Sequence, residues 1–273
     1  MAVKTTICMG GIITYNPEID RLTQCIQKAA QECQKVVVVD NGSANFEDIV
    51  QLVEKFENSY IIKNESNFGI AKALNQVFHE AAKQNYDWVL TLDQDTVIPD
   101  NLMERYSQAI SNVHINLAII CPQIHDDLSG KTWPVLNENE RERCVEKCIT
   151  SASLNNVKMW DAVGGFDEKL FIDEVDHDYC YRVRKSKGEI LLVDNVTINH
   201  TIGNSLRSRS GYFQRKIYFD LAFVAPCVAL QTHFHQLEPK PTNAATGKSP
   251  SPGHGPFCEK TNRKSPQTFL VYT

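Results

Sequence analysis

Two aspartates that flank a single residue carry the strongest chemical signal in the sequence. Asp93 and Asp95 stand in the segment Leu-Thr-Leu-Asp-Gln-Asp-Thr, within and directly after a short apolar run. Carboxylates this close together repel each other unless a cation lies between them. Hard oxygen ligands of this kind suit Mg²⁺ or Mn²⁺ held jointly with substrate phosphates. The pair therefore predicts a divalent-metal site at the end of a strand, with a solvated turn as the alternative.

A second group of acids precedes and enters a predicted helix later in the chain. Asp173, Glu174, Asp176 and Asp178 lie within six residues of one another. Acids at a helix N-terminus interact favourably with the helix dipole, which is a purely structural reason for their presence. Asp173 and Asp176 share a helical face, however, and a carboxylate held there could act as a general base.

Polar residues also follow other predicted strands. Thr14 and Tyr15 lie at the end of the first strand, Asp40 follows the second, and His200 follows a late one. A carboxylate at the tip of a buried strand can accept hydrogen bonds from a nucleobase or a ribose. The alternative for Asp40 is that it only opens a turn, which the sequence Asp-Asn-Gly-Ser favours. His200 is a candidate third metal ligand, although an isolated histidine usually has a structural role.

The segment Asn-Phe-Gly-Ile-Ala-Lys, residues 67–72, marks the entry to another predicted helix. Gly69 at this entry permits a close backbone approach, and the free amides of the first helical turn can face a phosphate. Asn67 acting as a simple helix cap is the alternative.

These residues need a scaffold in which strands and helices alternate. Strands are predicted at 5–14, 36–39, 60–63, 88–92 and 189–193, and helices at 19–33, 46–56 and 69–84. Order is also expected at 160–171 and 175–187, and the polar residues 126–148 are expected to form a surface excursion. Such alternation indicates an α/β fold with a mainly parallel sheet and helices on both faces. Ligands of these sheets bind beyond the carboxyl ends of the strands, where the polar residues lie.

Composition narrows the class of protein. The chain has 273 residues, of which 42% are hydrophobic and 22% are charged, as in globular proteins. Its net charge of -5 argues against a nucleic-acid partner held by bulk positive charge. The nine cysteines are odd in number and include no CxxC pair, which favours reduced thiols. With no secretory signal and no long apolar run, the sequence predicts a cytoplasmic protein.

Six motifs occur in a characteristic order. They are TYNPE, VVVVDNGS, NFGIAKALN, LTLDQDT, GGFDEKLFIDEVDHDYCYR, and an Asn-His pair followed by Ser205. In this order they resemble the family 2 inverting glycosyltransferases of the GT-A fold, and in particular the bacterial rhamnosyltransferases of O-antigen and surface polysaccharide synthesis. The resemblance runs from about residue 5 to residue 219. It implies a Rossmann-like nucleotide-diphospho-sugar transferase.

The resemblance assigns most of its roles to nucleotide-sugar binding. It implies that Thr14, Tyr15 and Asp40 line the nucleotide pocket, with Asp40 on the pyrimidine base. The other donor-binding residues that it implies are Asn67, Gly69 and Lys72 near the ribose and diphosphate, and Asp93 on the nucleotide-sugar.

The remaining roles concern the metal and the chemistry. By resemblance, Asp95 binds the divalent ion, His200 binds the metal or the diphosphate, and Asp176 is the catalytic base. The family often has an acidic pair at the base position, whereas Val175 precedes Asp176 here. The choice of base therefore stays open between Asp173, Asp176 and Asp178.

Two further departures affect the acceptor side. The usual Thr-Ser-Gly reads Thr150-Ser151-Ala152, and the Cβ of alanine predicts a different backbone geometry. The domain is expected to end near residue 220, with a nucleotide-binding half at about 1–97 and an acceptor and catalytic half at about 98–220. Residues 221–273 are rich in proline and atypical of the family, and they are expected to be mobile.

The implied activity is metal-assisted transfer of a sugar, with inversion, to a hydroxyl of a glycan or a lipid-linked acceptor. The donor implied first is dTDP-rhamnose, and UDP-sugars come next. Peripheral contact with the inner face of the membrane is expected. The alternative is a degenerate transferase that binds a nucleotide-sugar or a partner without turnover, which the altered tail suggests.

Overall fold

A computed structural model describes residues 7–112, 116–127, 130–137 and 140–200, with the side chains of Asn195 and His200 outside the description. The strands of this part are β1 (Cys8–Thr14), β2 (Lys35–Asp40), β3 (Ser59–Lys63), β4 (Trp88–Asp93), β5 (Leu117–Asp126), β6 (Lys131–Trp133), β7 (Glu142–Cys144), β8 (Ser153–Asn156) and β9 (Glu189–His200). The helices are α1 (Ile19–Glu32), α2 (Phe46–Val53), α3 (Ile70–Lys83), α4 (Leu102–Ser111), α5 (Val157–Ala162) and α6 (Val175–Lys185).

All of these strands belong to one mixed sheet. Its order is β3-β2-β1-β4-β8-β5-β9-β7, and β6 pairs with β5. The first four strands are parallel, and β5 pairs in parallel with β9. Strands β8 and β7 run antiparallel to their neighbours. The predicted α/β architecture, with a mainly parallel sheet, is confirmed.

The two faces of the sheet bury separate apolar layers. Helices α1, α2 and α4 cover one face, with Leu22, Ile49 and Tyr106 among the buried side chains. Helices α3, α5 and α6 cover the other face. The four valines of β2 alternate between the layers, because successive side chains of a strand point to opposite faces. This burial on both faces explains why the strand reads as an uninterrupted valine run.

The structure differs from the sequence prediction in its second half. Residues 126–148, expected as a surface excursion, contain the strands β6 and β7, and β9 extends well beyond residue 193 to His200. Strand β8 had no predicted counterpart. Three-residue strands such as β7 are too short to show a side-chain period, and they form because a neighbouring strand supplies the hydrogen bonds.

The described part of the chain contains no helix with the length and apolar character needed to cross a bilayer. The predicted domain end at residue 220 and the predicted tail at 221–273 lie outside the described residues.

Candidate functional site

The carboxyl ends of three parallel strands bring the first predicted site residues together. In the register of the sheet, Thr14 on β1 lies beside Asp40 on β2, and Ile13 lies beside Asp93 on β4. The Thr14 hydroxyl donates a hydrogen bond to the Asp40 carboxylate over 3.1 Å, and both side chains are buried. These residues therefore lie at the edge where ligands bind in sheets of this kind.

The Asp40 carboxylate organises the loop that follows its strand. Its Oδ2 accepts hydrogen bonds from the backbone N–H groups of Gly42 and Ser43, each over 3.0 Å. Its Oδ1 accepts from the hydroxyls of Thr14 and Ser43. The turn-forming role that the sequence allowed is thus present in the structure, and contact with a base stays a prediction.

A chain of buried amides links this loop to the entry of α3. The Asn41 side chain donates to the carbonyl oxygen of Gly69 over 3.2 Å, and Asn64 donates to the side-chain oxygen of Asn41 over 2.9 Å. Asn64 also exchanges hydrogen bonds with Gln76 on α3. Sequence reasoning missed these residues, although asparagines that directly follow strand ends were the available signal.

The entry of α3 depends on a glycine. Gly69 has a φ of 87°, and a Cβ built there would lie 2.5 Å from the carbonyl oxygen of Phe171. The next backbone N–H, that of Ile70, donates to the same oxygen over 2.7 Å. Asn67 does not cap the helix directly. Its side chain accepts from the Gly69 N–H over 2.9 Å and closes a turn. The glycine therefore lets the backbone of α3 meet the segment that precedes α6.

Lys72, which the resemblance places near the diphosphate, lies in the first turn of α3. Its Nζ is 4.0 Å from the ring centroid of Phe68, a cation–π contact. Phe68 is 39% exposed. The ammonium group is therefore held at the surface beside the helix entry.

The turn that carries Asp93 and Asp95 is tied to the first strand and the first helix. The side-chain oxygen of Gln94 accepts from the Tyr15 N–H over 2.9 Å. Arg21 on α1 donates from Nε to the carbonyl oxygen of Asp95 over 3.0 Å. Neither Gln94 nor Arg21 was predicted as a site residue, and their types alone gave no signal.

A buried thiol lies directly under the same turn. The Sγ of Cys25 on α1 is 3.4 Å from the carbonyl oxygen of Asp93. Burial raises the pKa of Cys25 far above its usual range, and the charges of Asp93 and Asp95 raise it further. The thiol therefore stays protonated and acts as a packing group and weak donor.

An acidic cleft of about 480 Å³ opens beside this turn. Its lining residues are Glu18, Arg21, Gln94, Asp95 and Asp127. The Asp95 side chain is exposed there. Among the residues that the structure describes, no group of three or more His, Cys, Asp or Glu side chains is arranged to hold a metal ion. The protein side chains of the described part thus offer separate carboxylates rather than a preassembled cage.

The backbone of His200 belongs to the neighbouring part of the sheet. It lies in register with Asp126, the last residue of β5, one position before Asp127 of the cleft. The side chain of His200 lies outside the described part of the chain.

The three acids left open as the base have different surroundings. Asp173 is exposed, and Asp178 is paired with Arg182 across 2.7 Å. Asp176 is partly buried in the first turn of α6, and its Oδ1 accepts from the His177 N–H over 2.8 Å. Burial raises the pKa of Asp176, against the opposing effect of His177. The partly buried position of Asp176 thus raises its proton affinity.

In the acceptor-side segment, Ala152 adopts a backbone conformation typical of glycine, and the predicted difference in backbone geometry stays a prediction. Ala152 is buried with a φ of 56°, in the left-handed region that favours glycine. Its carbonyl oxygen accepts from the hydroxyl of Tyr106 over 2.8 Å.

Comparisons with known proteins agree with this geometry. The sequence model of the family "Glycosyl transferase family 2" matches residues 11–179. The chain is 27% identical over 206 residues to the dTDP-rhamnosyl transferase RfbF of Shigella flexneri, covering 71% of this chain and 68% of that protein. It is also 27% identical over 166 residues to an uncharacterized glycosyltransferase, R363, of Acanthamoeba polyphaga mimivirus, covering 59% of this chain and 62% of that protein.

Solved structures share the fold at low identity. S. aureus TarS in complex with UDP-GlcNAc has a TM-score of 0.60 at 18% identity, with 76% of this chain and 62% of that chain covered. GalNAc-T7 with UDP, GalNAc and Mn²⁺ has a TM-score of 0.57 at 14% identity, with 72% of this chain and 44% of that chain covered. Both are GT-A glycosyltransferases. With its family match, its strand-end residues and its sheet, the chain belongs to the glycosyl transferase family 2 and has the GT-A fold.

Proposed function

We propose that this glycosyltransferase moves a sugar from a nucleotide-diphospho-sugar to a hydroxyl group with inversion, and that Asp176 is its general base. The observation that carries the proposal is the environment of Asp176. Its burial raises its pKa, whereas Asp178 is already paired with Arg182 and Asp173 is exposed. A base whose pKa is raised toward the working pH accepts a proton more readily during the reaction.

The proposed donor is dTDP-rhamnose. The similarity to a dTDP-rhamnosyl transferase over most of both chains supports it. UDP-sugars are the second choice, because one solved relative contains UDP and another contains UDP-GlcNAc. The proposed acceptor is a hydroxyl of a glycan or of a lipid-linked glycan, with contact at the membrane surface.

The proposed donor site is the edge formed by β1, β2 and β4. Thr14, Tyr15 and Asp40 would face the nucleoside, and Asn67, Gly69 and Lys72 the ribose and diphosphate. Asp93, at the end of β4, would contact the nucleotide-sugar. The close packing of Gly69 against Phe171 supports this arrangement, because it brings the proposed diphosphate region next to the segment that leads to Asp176.

A divalent ion fits the donor atoms at this edge. Asp95 offers an exposed carboxylate at the acidic cleft, and Mg²⁺ or Mn²⁺ prefers such oxygen ligands shared with phosphates. Asp95 would hold the ion, and His200 remains a predicted further ligand of the metal or diphosphate. When bound, the ion supplies positive charge against the charge that develops on the leaving diphosphate.

The proposed step is a single displacement at the anomeric carbon. Asp176 accepts the proton of the acceptor hydroxyl while that oxygen forms a bond to the anomeric carbon. The bond from this carbon to the diphosphate oxygen breaks, and the nucleoside diphosphate leaves with the bonding electron pair. Attack from the face opposite the leaving group inverts the configuration.

Two measurements on the full chain test the proposal. Thermal unfolding is followed with dTDP-rhamnose, UDP-GlcNAc or GDP-mannose in the presence of Mn²⁺, because a ligand of the folded state raises the unfolding temperature. Release of nucleoside diphosphate is then measured for the wild type and for Asp176→Asn. We expect dTDP-rhamnose to stabilise most and Asp176→Asn to lose release by about 10²-fold or more.

The outcomes separate the rival assignments. Stabilisation by a UDP-sugar alone would correct the donor. Near-normal release by Asp176→Asn would remove Asp176 as the base. Donor binding to the wild type without any release, with or without added alcohol, would favour the degenerate transferase.

A further inference from the structure

A loop of residues 163–174, here called the bridging loop, carries the chain from α5 to the first turn of α6. It begins with two glycines in the left-handed region, Gly164 at a φ of 81° and Gly165 at a φ of 72°. Their N–H groups bond back to the last turn of α5 over 3.0 and 2.8 Å. The loop ends two residues before Asp176, so its placement sets where that carboxylate lies.

A single buried amide on α3 holds the bridging loop. Asn75 is 6% exposed, and its Oδ1 accepts from the Phe166 N–H over 2.8 Å and from the indole N–H of Trp160 over 3.0 Å. Its Nδ2 donates to the carbonyl oxygen of Phe166 and to the carboxylate of Glu168, each over 3.0 Å. The amide of asparagine offers two donors and two acceptor positions, and all four are used here.

A guanidinium on α6 holds the same loop from the other side. Arg182 donates from Nη1 to the carbonyl oxygens of Val163 and Gly165 over 2.9 and 2.6 Å. Its Nε donates to Asp178, one turn earlier on the helix, over 2.8 Å. One planar side chain thus joins the start of the bridging loop to the first turns of α6.

Apolar contacts dock the middle of the bridging loop independently of these polar groups. The ring centroid of Phe166 lies 4.3 Å from that of Tyr179 on α6 and 5.6 Å from that of Phe78 on α3. Loss of a hydrogen bond should therefore leave the loop attached while permitting it to shift. Buried polar networks of this kind specify one arrangement among several that packing alone allows.

We propose that Asn75 and Arg182 are positioning residues for Asp176. Asn75 on α3 and Arg182 on α6 both form hydrogen bonds with the bridging loop. Together they hold Asp176 at a set distance from the entry of α3. The proposal rests on the assignment of Asp176 as the base. The Ile70 N–H to Phe171 oxygen bond adds a third fixed point near the end of the loop. A displacement of about 1 Å in a reacting group can cost about 10²-fold in rate.

The test uses the full chain with Arg182→Lys and Asn75→Ser. Lysine keeps a positive charge near Asp178 but lacks the planar fork that reaches two carbonyls. Release of dTDP from dTDP-rhamnose with Mn²⁺ is measured against donor concentration and pH. We expect kcat to fall about 10- to 100-fold with the donor KM changed less than about twofold.

The acid side of the pH profile provides a second readout. The groups beside Asp176 include His177, Glu174 and Cys180. A displaced Asp176 is better hydrated, so its pKa falls and the acid limb of kcat should move to lower pH.

Two matched substitutions serve as controls. Arg184 lies on the same helix, and its Nη2 donates to the carboxylate of Glu146 over 3.4 Å. Asn58 donates its amide to the carbonyl oxygens of Ala30 and Cys33, away from the bridging loop. Arg184→Lys and Asn58→Ser should change kcat by less than about twofold relative to the wild type. They should move the acid limb by no more than about a few tenths of a pH unit.

The positioning role is overturned if Arg182→Lys and Asn75→Ser behave like these controls. It is also overturned if their loss of kcat matches the fraction of unfolded protein seen by circular dichroism. Near-normal dTDP release by Asp176→Asn, or none by the wild type, would instead contradict the proposed function. In that case hydrogen exchange of residues 171–178 decides the inference: faster exchange in the two variants alone supports it, and unchanged exchange overturns it.

Discussion

At the scale of single residues, the partners already bound to a polar atom determine what that atom can still do. Asp40 receives hydrogen bonds at both oxygens, and Asp178 faces a guanidinium. Asp176 accepts from the His177 N–H and is partly buried, which raises its pKa. Aspartate therefore has three different roles here: Asp40 organises a loop, Asp178 pairs with an arginine on the same helix, and Asp176 has a raised proton affinity.

The raised pKa of Asp176 predicts a gain in stability when its charge is removed. Between the unfolded and folded pKa values, the folded chain keeps a proton that the unfolded chain has lost. Stability therefore falls as the pH rises through this window, and the ionised carboxylate destabilises the fold above it. We expect Asp176→Asn to raise the unfolding temperature at pH 7 and to leave it nearly unchanged at pH 3.

Asp173→Asn is the control for this experiment, because Asp173 is an exposed acid of the same segment. It should change the unfolding temperature little at either pH. Lower stability of Asp176→Asn at pH 7 would show that the Asp176 carboxylate is not destabilised by burial.

A second prediction concerns Ala152, whose φ of 56° is unfavourable for any residue with a Cβ. The left-handed conformation costs alanine about 1–2 kcal/mol, and substitution by glycine removes this cost. The greater freedom of glycine in the unfolded chain offsets part of the resulting stabilisation. Ala152→Gly should leave the free energy of unfolding unchanged or raise it by up to about 1 kcal/mol, as measured by urea denaturation.

Ala109→Gly, inside helix α4, provides the contrast and should lower the free energy of unfolding by about 1 kcal/mol. A loss for Ala152→Gly as large as that for Ala109→Gly would mean that burial of the Ala152 methyl group outweighs its backbone strain.

Residue types and spacing predicted that several candidate residues lie at strand ends, but not which neighbours organise them. Asp40, Asp93 and Asp95 follow from acids at strand ends. Gln94 and Arg21 do not, because their contacts join segments far apart in the sequence. The choice among three nearby acids also depends on burial, which arises only when α3, α6 and their loops pack together.

At the scale of elements, the first half of the chain was predictable because each strand or helix has its own side-chain period. Every predicted element up to residue 92 has an observed counterpart, with ends that shift by one to three residues. Strand β8, by contrast, reads Ser-Leu-Asn-Asn and has no apolar run. It forms because β4 and β5 pair with it on both sides.

The entry of α3 gives a prediction at this scale. Gly69→Ala adds a Cβ 2.5 Å from the Phe171 carbonyl oxygen and also imposes a left-handed alanine. We expect a loss of about 2 kcal/mol or more in the free energy of unfolding, together with a raised KM for dTDP-rhamnose.

Gly164→Ala is a matched control, because Gly164 has a similar φ of 81° and no atom within 4 Å of its built Cβ. It should lose only the backbone cost of about 1–2 kcal/mol and leave KM unchanged. Equal losses in the two variants would show that the contact with Phe171 is not tight.

At the scale of the whole molecule, the sheet contains two sets of strands with different predicted roles. The parallel strands β3, β2, β1 and β4, together with the loops that follow them and the entry of α3, carry the predicted donor residues. Beyond β4, strands β8, β5, β9 and β7 form the part that the predicted catalytic half supplies. Helices α3 and α6 pack in the same apolar layer, so the two halves share one core.

In the described part of the chain, the buried residues of both apolar layers lie between Cys8 and Ile198, within a compact unit that ends at Ile202. A chain that ends at residue 202 should therefore unfold in one cooperative thermal transition, as followed by circular dichroism. A broad, non-cooperative transition for this chain, beside a sharp one for the full chain, would show that residues after 202 are needed for the fold.

The valine run of β2 has a consequence for strand alignment. Val36, Val37, Val38 and Val39 are identical, so sliding the strand by one position would still place valines at most of these buried positions. The polar end of β2 helps to distinguish the correct alignment, because the Thr14 hydroxyl donates to Asp40 and the Asn41 N–H donates to the Thr14 carbonyl oxygen. The atoms proposed to form the nucleotide pocket thus also help to fix the register of a strand whose four valines are interchangeable.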